Sequence, residues 1–578
     1  MNEAYDVVII GSGAGGSMTA YTLTQLGARV VVVEAGGHNM DRDIRHHEWW
    51  WQQRYRNVYQ PDPVHVKLTS RHYTVGRGES EQVTLFDGNA HGEYMDNNFF
   101  VKIRDWSYTH PEGMPYRWVR ARSIGGKTNC WDAGAARWGP VEWKPYSYDG
   151  VGIDWPVSYD EIAPWYSRTE QLIGVSGEKV GKMTDTPDGE FQPAANVTCN
   201  LAIMRATAQK MGYTVTPGSR AIITQPHNGR VPCHYCGRCG RGCDTGAKFT
   251  AVGALFPTAF ATGRLKMISN AIVREVTVDG QGRASGVTYI DRYTFREDQV
   301  RGRYVVVAAS AIETARLLLN SKSNLFPNGL ANSSGQVGRN LVEDATAGVS
   351  GYLPRQAGRE VLNEDSYDSE LQVHPYMNVD EKTRRKDFVR RYLLTASGGF
   401  GMGAGAGRGR AAFGEEFKSD AHQWYGANVG VTAAGCGLEN PNNFVDIDPE
   451  AKDAWGIPAV RIHLKHGPNQ EAMVKEVQQI GSEWIEKAGG IVTGWTSSTS
   501  IPGAQIHEQG TCRMGDDPKK FATNRWGQCH DVPNLMLADG SLHCTSGITN
   551  PTLTILTLSM RNSTHFWEEI RRGNIRGS

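Results

Sequence analysis

Residues 7–16, with the sequence VVIIGSGAGG, decide the fold of the first part of this 578-residue chain. Four consecutive apolar residues are typical of a strand buried in a parallel sheet, and a glycine-rich turn follows them directly. Spaced apolar residues over 20–26 predict a helix, and the valine run 30–33 predicts a second buried strand that ends at Glu34. Together these features predict a β-α-β unit.

The glycines of this turn fit the pattern of a dinucleotide site. Gly11 permits the tight turn, Gly13 permits close approach of a pyrophosphate to the backbone, and Gly16 permits close packing of the helix on the strand. Glu34 is placed to accept hydrogen bonds from ribose hydroxyls. The segment does not distinguish FAD from NAD, and a tight turn in an ordinary α/β sheet is the alternative interpretation.

Composition excludes several classes of partner. The chain has 61 Lys and Arg residues and 61 Asp and Glu residues, so its formal net charge is zero. No polybasic segment is present that would attract nucleic acid or an anionic membrane. No apolar run approaches the ~18–20 residues of a membrane span, and the chain enters a strand-like run without a basic leader. We therefore expect no nucleic-acid binding, no membrane span and no signal peptide.

Five further segments carry a recognisable pattern. They are residues 122–131 (RSIGGKTNCW), 304–315 (YVVVAASAIETA), 507–515 (HEQGTCRMG), 534–540 (NLMLADG) and 547–554 (GITNPTLT). In this order the segments resemble the glucose-methanol-choline (GMC) family of FAD oxidoreductases. The sequence NPTLT at 550–554 most resembles that of the pyranose oxidase and bacterial glucose dehydrogenase branches.

The resemblance implies roles for two polar residues. His507 corresponds to the family's base, which takes the hydroxyl proton of an alcohol while the carbon gives hydride to flavin N5. Asn550 corresponds to the residue whose amide holds the substrate oxygen. Asn before Pro is also a common helix start, so Asn550 is predicted to be an N-cap as well, with Pro551 at the first helical position. That helix start would place positive partial charge near the reduced flavin.

The first turn and the resemblance together predict a set of cofactor-binding residues. These are Gly11, Gly13, Gly16, Glu34, Gly125, Gly126, Asn129, Cys130, Asp539, Gly540 and Thr552. In covalently flavinylated pyranose oxidases a histidine that bonds the flavin stands at the position of Cys130. Histidyl attachment there is excluded, so we expect non-covalent FAD, and a cysteinyl thioether is the alternative.

A cysteine cluster is the strongest local signal in the chain. Cys233, Cys236, Cys239 and Cys243 spell C-x2-C-x2-C-x3-C, the spacing of bacterial ferredoxins, although Asp244 replaces the usual following proline. This spacing favours an iron–sulfur cluster over zinc.

The cysteine segment also resembles that of the bacterial FAD glucose dehydrogenases and glucoside 3-dehydrogenases, which hold a three-iron cluster. The resemblance implies Cys239 and Cys243 as ligands and Cys233 as the third. Ligation by Cys236 as well would give a four-iron cluster, and the sequence leaves that alternative open.

The predicted fold class is α/β, with a discontinuous Rossmann-like FAD-binding domain and an α+β substrate domain built on an antiparallel sheet. The predicted boundaries are 1–45, 110–150, 225–335 and 500–578 for the FAD domain, 336–500 for the substrate domain, and 46–109 and 151–224 for insertions or cap segments.

The resulting hypothesis is a dehydrogenase that oxidises a secondary ring hydroxyl of a sugar or glycoside, with C3 as a candidate position. Electrons would pass through an iron–sulfur cluster to an external acceptor. One alternative is a sugar oxidase with structural zinc, and another is an electron-transfer or redox-sensing flavoprotein. His507 and Asn550 argue against the second alternative, because electron transfer alone needs no proton acceptor.

The resemblance also implies partners and a location. Related dehydrogenases pair with a small subunit and a cytochrome c or another one-electron acceptor. The small subunit can carry a twin-arginine signal, so we expect a periplasmic enzyme exported together with that subunit. A cytoplasmic enzyme is the alternative.

Overall fold

The computed structural model describes most of the chain. The described residues are 5–37, 108–181, 186–360 except Arg238 and Asp244, 364, 366, 370–399, 414–499, 501–503 and 505–578. Most of the predicted insertion 46–109 lies outside the described residues.

The described residues contain 20 strands, which are numbered here in chain order. They are β1 (Tyr5–Ile10), β2 (Val30–Val33), β3 (Tyr108–Thr109), β4 (Val175–Gly177), β5 (Phe191–Pro193), β6 (Val215–Pro217), β7 (Leu265–Ile268), β8 (Ala271–Val278), β9 (Ala284–Asp291), β10 (Glu297–Val307), β11 (Arg339–Val342), β12 (Ala345–Tyr352), β13 (Glu370–Val373), β14 (Tyr392–Gly399), β15 (Asn428–Gly435), β16 (Phe444–Lys452), β17 (Pro458–His463), β18 (Ile491–Ser497), β19 (Gln509–Thr511) and β20 (Leu535–Leu537).

The α-helices of the described residues vary from a single turn to 20 residues. They are α1 (Ala14–Gln25), α2 (Pro140–Trp143), α3 (Pro145–Asp149), α4 (Tyr159–Ile173), α5 (Cys199–Lys210), α6 (Phe256–Ala261), α7 (Ala311–Asn320), α8 (Gly414–Trp424), α9 (Pro468–Lys487) and α10 (Thr552–Arg571). None of these helices is both long and apolar enough to cross a membrane.

The first sheet confirms the predicted β-α-β unit. Its parallel part has the order β7-β2-β1-β10-β20, and β9 and β8 continue it antiparallel from the first half of β10. The four residues of β2 are all buried, as the apolar run predicts for a strand covered on both faces. Helices α1 and α10 pack together beside this sheet, where the Ser563 hydroxyl donates to the Thr19 hydroxyl at 3.1 Å.

The second large sheet is antiparallel from edge to edge, with the order β18-β12-β15-β14-β13-β6. One face packs on α5 and α9 through an apolar cluster that includes Val349, Val431 and Trp484. A third sheet of order β19-β11-β16-β17-β3 joins segments from both ends of the chain. The α/β fold class is therefore confirmed, with a Rossmann-like parallel sheet and a separate antiparallel sheet.

Candidate functional site

A cavity of about 910 Å³ lies between the parallel sheet and the open face of the antiparallel sheet. Its walls include the glycine turn after β1, the turn that contains Gly126, the turn between β10 and α7, and the start of α10. Turns that follow parallel strands are where open α/β sheets bind their ligands, because the strand ends and helix starts meet there. The volume is at the upper end of the ~300–1,000 Å³ typical of ligand sites.

The first glycine turn has room for a ligand only at the predicted position. A Cβ atom at Gly13 would meet no atom within 4 Å, so the backbone there is open to close approach. A Cβ at Gly16 would lie 2.1 Å from the carbonyl oxygen of Gly11, so this glycine permits the helix to pack against the turn. Gly11 and Gly13 line the cavity, whereas Gly16 lies behind its wall.

Glu34 lines the cavity and also fixes the first turn. One of its carboxylate oxygens accepts from the backbone N–H of Ser12 at 2.9 Å and from the Ser12 hydroxyl at 2.7 Å, and the other accepts from the N–H of Gly36 at 2.7 Å. Burial raises the pKa of this carboxyl, while the bonds from Ser12 and Gly36 oppose the rise. The predicted contact with a ribose remains a prediction.

The second glycine turn is joined to the first by the N–H of Gly125, which donates to the Ser12 hydroxyl at 3.0 Å. Gly125 and Gly126 both have positive φ angles, 91° and 54°, a backbone region that favours glycine. Gly126 lines the cavity, but Gly125 and Asn129 lie behind it. The Asn129 amide donates to the Ile124 carbonyl at 2.8 Å and so shapes the turn.

Cys130 lines the cavity beside this turn and is buried. Burial raises the pKa of its thiol to about 11, so the thiol stays protonated at neutral pH. A protonated thiol is a poor nucleophile, which favours non-covalent binding of a flavin over a thioether.

Asp539 organises the opposite wall. Its carboxylate accepts from the Thr314 hydroxyl at 2.5 Å, from the Ser310 N–H at 3.1 Å and from the Ser541 N–H at 2.8 Å. These bonds tie the start of α7 to the turn at Gly540, which also lines the cavity. The contact of this turn with a cofactor diphosphate remains a prediction.

His507 and Asn550 meet at the cavity, although 43 positions separate them in the sequence. The Asn550 amide nitrogen lies 3.1 Å from Nε2 of His507, and on the other side of the ring Nδ1 lies 2.9 Å from an oxygen of Asp344. An amide nitrogen only donates, so Nε2 accepts and Nδ1 carries the ring proton toward the carboxylate. The ring is thereby held in the tautomer that can take a proton at Nε2.

Asp344 was not predicted from the sequence. It lies between β11 and β12, its side chain is fully buried, and one of its oxygens is hydrogen-bonded to His507 across 163 positions. Burial is the larger influence on this carboxyl and raises its pKa, while the hydrogen bond from His507 lowers it. A buried carboxylate that accepts from Nδ1 is a common device for orienting a histidine base.

The structure corrects the predicted helix start. Helix α10 begins at Thr552, its N-cap is Pro551, and no side chain caps it. The prediction that Asn550 is the N-cap is wrong, because its amide is turned toward His507 instead. The helix still begins at the cavity, since Pro551 and Thr552 line it.

An ion pair joins the second glycine turn to the segment that carries His507. Nζ of Lys127 lies 2.8 Å from a carboxylate oxygen of Glu508, and 381 positions separate the two residues. Glu343, next to Asp344, accepts from the N–H of Gly503 at 2.7 Å. Burial, and then the nearby charge of Glu508, raise the pKa of the Glu343 carboxyl well above its usual range. None of these three residues was singled out in the sequence.

The cysteine segment lies against the same cavity, which Gly237 and Gly240 help to line. The fully buried Lys248 donates to the carbonyl oxygens of Asn129 at 3.0 Å, Trp131 at 3.2 Å and Cys239 at 2.5 Å. Lys248 therefore attaches the cysteine segment to the second glycine turn.

The four predicted metal ligands do not form a ready-made site. Cys239 is buried and Cys236 is exposed, while Cys233 and Cys243 are half-buried. The sulfurs of Cys233 and Cys243 accept backbone N–H groups of Tyr235 at 3.3 Å and Lys248 at 3.4 Å. Within the described part of the chain, no three His, Cys, Asp or Glu side chains are grouped so that they could hold a metal ion. The iron–sulfur cluster thus remains a prediction from spacing and resemblance.

Three models of known protein families match segments of this chain. Two family models described as GMC oxidoreductase match residues 149–346 and 440–559, and an FAD binding domain model matches residues 6–40. The last range contains the first glycine turn and Glu34.

Individual relatives match over nearly the whole chain. The 2-methyl-1,2-propanediol dehydrogenase of Mycolicibacterium austroafricanum is 29% identical, with 96% of this chain and 94% of that protein covered. The fructose dehydrogenase large subunit of Gluconobacter japonicus is 27% identical, with 98% of each covered. The crystal structure of pyridoxine 4-oxidase from Mesorbium loti superposes on this chain with a TM-score of 0.60 at 17% identity. The match covers 98% of this chain and 99% of that one, so the two proteins share a fold.

Proposed function

The chain belongs to the GMC oxidoreductase family, and from that membership we propose that it is an FAD-dependent dehydrogenase of a sugar or glycoside. The reaction converts a secondary ring hydroxyl to a ketone, with C3 of a glucoside as the expected position. The observation that carries the proposal is the arrangement of His507, whose Nε2 lies 3.1 Å from the Asn550 amide in the cavity and whose Nδ1 is bonded to buried Asp344.

The residues around the cavity suit FAD. The open space at Gly13, the carboxylate of Glu34 and the starts of α1, α7 and α10 provide a backbone cradle, a ribose acceptor and positive helix ends. When bound, FAD supplies the hydride acceptor.

The protein residues then have two tasks. Nε2 of His507 takes the hydroxyl proton, and the Asn550 amide holds the substrate oxygen by donating to it. The O–H and C–H bonds break, the carbon–oxygen double bond forms, and the hydride carries both electrons of the C–H bond away. Such proton removal matters because hydride leaves readily only from a carbon whose oxygen is becoming an alkoxide.

The substrate class is tested by anaerobic mixing of the FAD-loaded protein with glucose, methyl glucosides and small diols. We expect bleaching of the flavin absorbance by glucosides and a keto-glycoside product, because the proposed reaction removes two hydrogens from a ring carbinol. Lactone from free glucose as the dominant product would contradict oxidation at a ring carbon. Bleaching by small diols alone would contradict the sugar substrate.

For the electron acceptor we propose a one-electron carrier outside the chain rather than oxygen. The large-subunit name of the fructose dehydrogenase relative indicates that this relative works in a complex. The proposed partners are a small subunit and a cytochrome c or similar carrier, and the proposed location is the periplasm. Iron–sulfur centres transfer single electrons, so a cluster at Cys233, Cys236, Cys239 and Cys243 would suit such an acceptor.

The cluster proposal predicts iron and acid-labile sulfide in protein purified without air, and an iron–sulfur paramagnetic resonance signal. Cys239→Ser should lose most of both elements because it removes a ligand, whereas Cys199→Ser, at an exposed cysteine outside the segment, should keep them. Metal and sulfide analysis of the three proteins checks the prediction. One zinc per chain, no sulfide and fast peroxide formation would instead support a sugar oxidase.

A further inference from the structure

The open face of the antiparallel sheet carries a row of threonines across four adjacent strands. Thr496 of β18 lies opposite Gly348 of β12, Gly348 lies opposite Thr432 of β15, and Thr432 lies opposite Thr395 of β14. Directly opposed residues of antiparallel strands point to the same face of a sheet, about 4.5–5.5 Å apart at Cβ. The three threonines therefore form one row, called here the threonine row.

The threonine row faces the cavity and not the core. Thr395, Thr432 and Thr496 all line the cavity that contains His507 and Asn550. Thr432 and Thr496 are exposed and Thr395 is half-buried, although Thr395 and Thr432 belong to interior strands of this sheet. Val431, next to Thr432, and Ala396, next to Thr395, are buried in the apolar cluster that packs on α9.

Two hydroxyls of the row pair directly, and the third lies on the other side of Gly348. The Thr395 and Thr432 hydroxyl oxygens are 2.8 Å apart, and the Thr395 hydroxyl also lies 3.3 Å from the Thr432 carbonyl oxygen. A Cβ atom at Gly348 would lie 2.7 Å from the Thr496 hydroxyl and 3.2 Å from a methyl carbon of Thr432. Both threonines thus reach over the glycine, Thr496 with its hydroxyl and Thr432 with its methyl group, so no side chain of the intervening strand separates them.

The chemistry of the row indicates its ligand. Each hydroxyl offers one donor and two acceptor lone pairs and carries no charge, which matches the hydroxyl groups of a polyol. Among the described cavity-lining residues of this sheet, the charged side chain is that of Glu370, which pairs with Arg220 at 3.0 Å. An anionic ligand would meet this carboxylate and no cation of the sheet.

We infer that the threonine row is the specificity-determining subsite for the other hydroxyls of a neutral sugar or glycoside, while His507 and Asn550 act on the hydroxyl that is oxidised. This inference rests on the proposed function. It adds the residues that distinguish a polyhydroxylated substrate from a simple alcohol.

The inference is tested by a double-mutant cycle in which a threonine hydroxyl of the protein and a hydroxyl of the substrate are removed separately and together. Wild type, Thr395→Val, Thr432→Val and Thr496→Val are loaded with FAD, and kcat/KM is measured for methyl glucoside and for its 2-, 4- and 6-deoxy analogues. Removal of a paired hydroxyl should cost the wild type about 3- to 10-fold in kcat/KM. In at least one threonine variant the same deoxygenation should leave kcat/KM almost unchanged, because the hydroxyl of the protein that pairs with the removed group is already absent.

The matched control is Thr277→Val. Thr277 also pairs with a hydroxyl across strands, that of Ser285 at 3.1 Å, but on β8 and outside the cavity lining. For every deoxy analogue, Thr277→Val should show the same loss of kcat/KM as the wild type. Gly348→Ala retains all three hydroxyls yet pushes Thr432 and Thr496 apart, so it should raise KM for methyl glucoside while FAD content stays at the wild-type level.

The outcomes separate this inference from the proposed function. If no sugar or glycoside bleaches the wild-type flavin, the proposed function fails. If methyl glucoside is oxidised but each threonine variant pays the full wild-type cost for every deoxygenation, the threonine row is not the subsite. If methyl glucuronide, which carries a carboxylate, is oxidised with the same kcat/KM as methyl glucoside, the threonine row does not select neutral ligands and that part of the inference is wrong.

Discussion

His507→Ala should bind FAD normally but reduce it with sugar about 10²–10⁴-fold more slowly than the wild type. The variant removes Nε2, the atom that we propose takes the hydroxyl proton, and leaves the glycine turns around the cavity unchanged. Anaerobic stopped-flow measurement of flavin bleaching gives the rate, and the ratio of flavin to protein absorbance gives the FAD content.

A second histidine–aspartate pair supplies the matched control. His463 lies 3.1 Å from Asp446, and its side chain is 15% exposed, against 13% for His507. It lies outside the cavity lining, so His463→Ala should bleach at the wild-type rate. A wild-type rate in His507→Ala would remove this histidine from the reaction, whatever the control shows.

Asp344→Asn should lower the limiting rate of flavin reduction by about 10²-fold, the lower end of what a general base contributes. An asparagine amide can donate to Nδ1, which places the ring proton on Nε2 and blocks that atom as an acceptor. The apparent Kd for sugar and the FAD content should stay close to the wild type, because Asp344 contacts His507 and does not line the cavity.

This division between rate and binding distinguishes a positioning residue from a merely structural one. Asp446→Asn, at the control pair, should change neither quantity. A loss of FAD or a lower melting temperature in Asp344→Asn, with a normal limiting rate in the remaining holoenzyme, would leave Asp344 with a structural role only.

The sequence predicted those parts of the site that are encoded locally. The run 7–16 specifies strand, turn and helix within one segment, and the turn at Gly126 follows the same logic. The family resemblance then identified His507 and Asn550, which the structure brings within 3.1 Å of each other.

The parts that depend on long-range packing were not predictable in the same way. Asp344 carries no motif of its own, and its bond to His507 exists only because the chain around β12 packs beside the segment before β19. The pairing of Thr395 with Thr432 depends on strand register, which the local sequence does not determine. Asn550 shows the opposite failure: a local capping pattern was predicted, and a tertiary hydrogen bond to His507 replaced it.

In the cysteine segment, the expectation from the spacing and the observed structure differ. Its spacing predicts four converging thiolates, yet the described side chains leave Cys236 exposed and no three metal-binding groups together. A cluster would have to organise this segment when it binds, as metals do in many small sites. The iron and sulfide analysis therefore tests a feature that is independent of the alcohol chemistry.

We propose that this chain removes a proton and a hydride from a sugar carbinol. Its most direct test is anaerobic reduction of the FAD-loaded protein by methyl glucoside that carries either hydrogen or deuterium at C3. We predict that the flavin bleaches, more slowly with the deuterated sugar, and that the product is a 3-keto glycoside. A flavin that stays oxidised with every sugar and glycoside would contradict it.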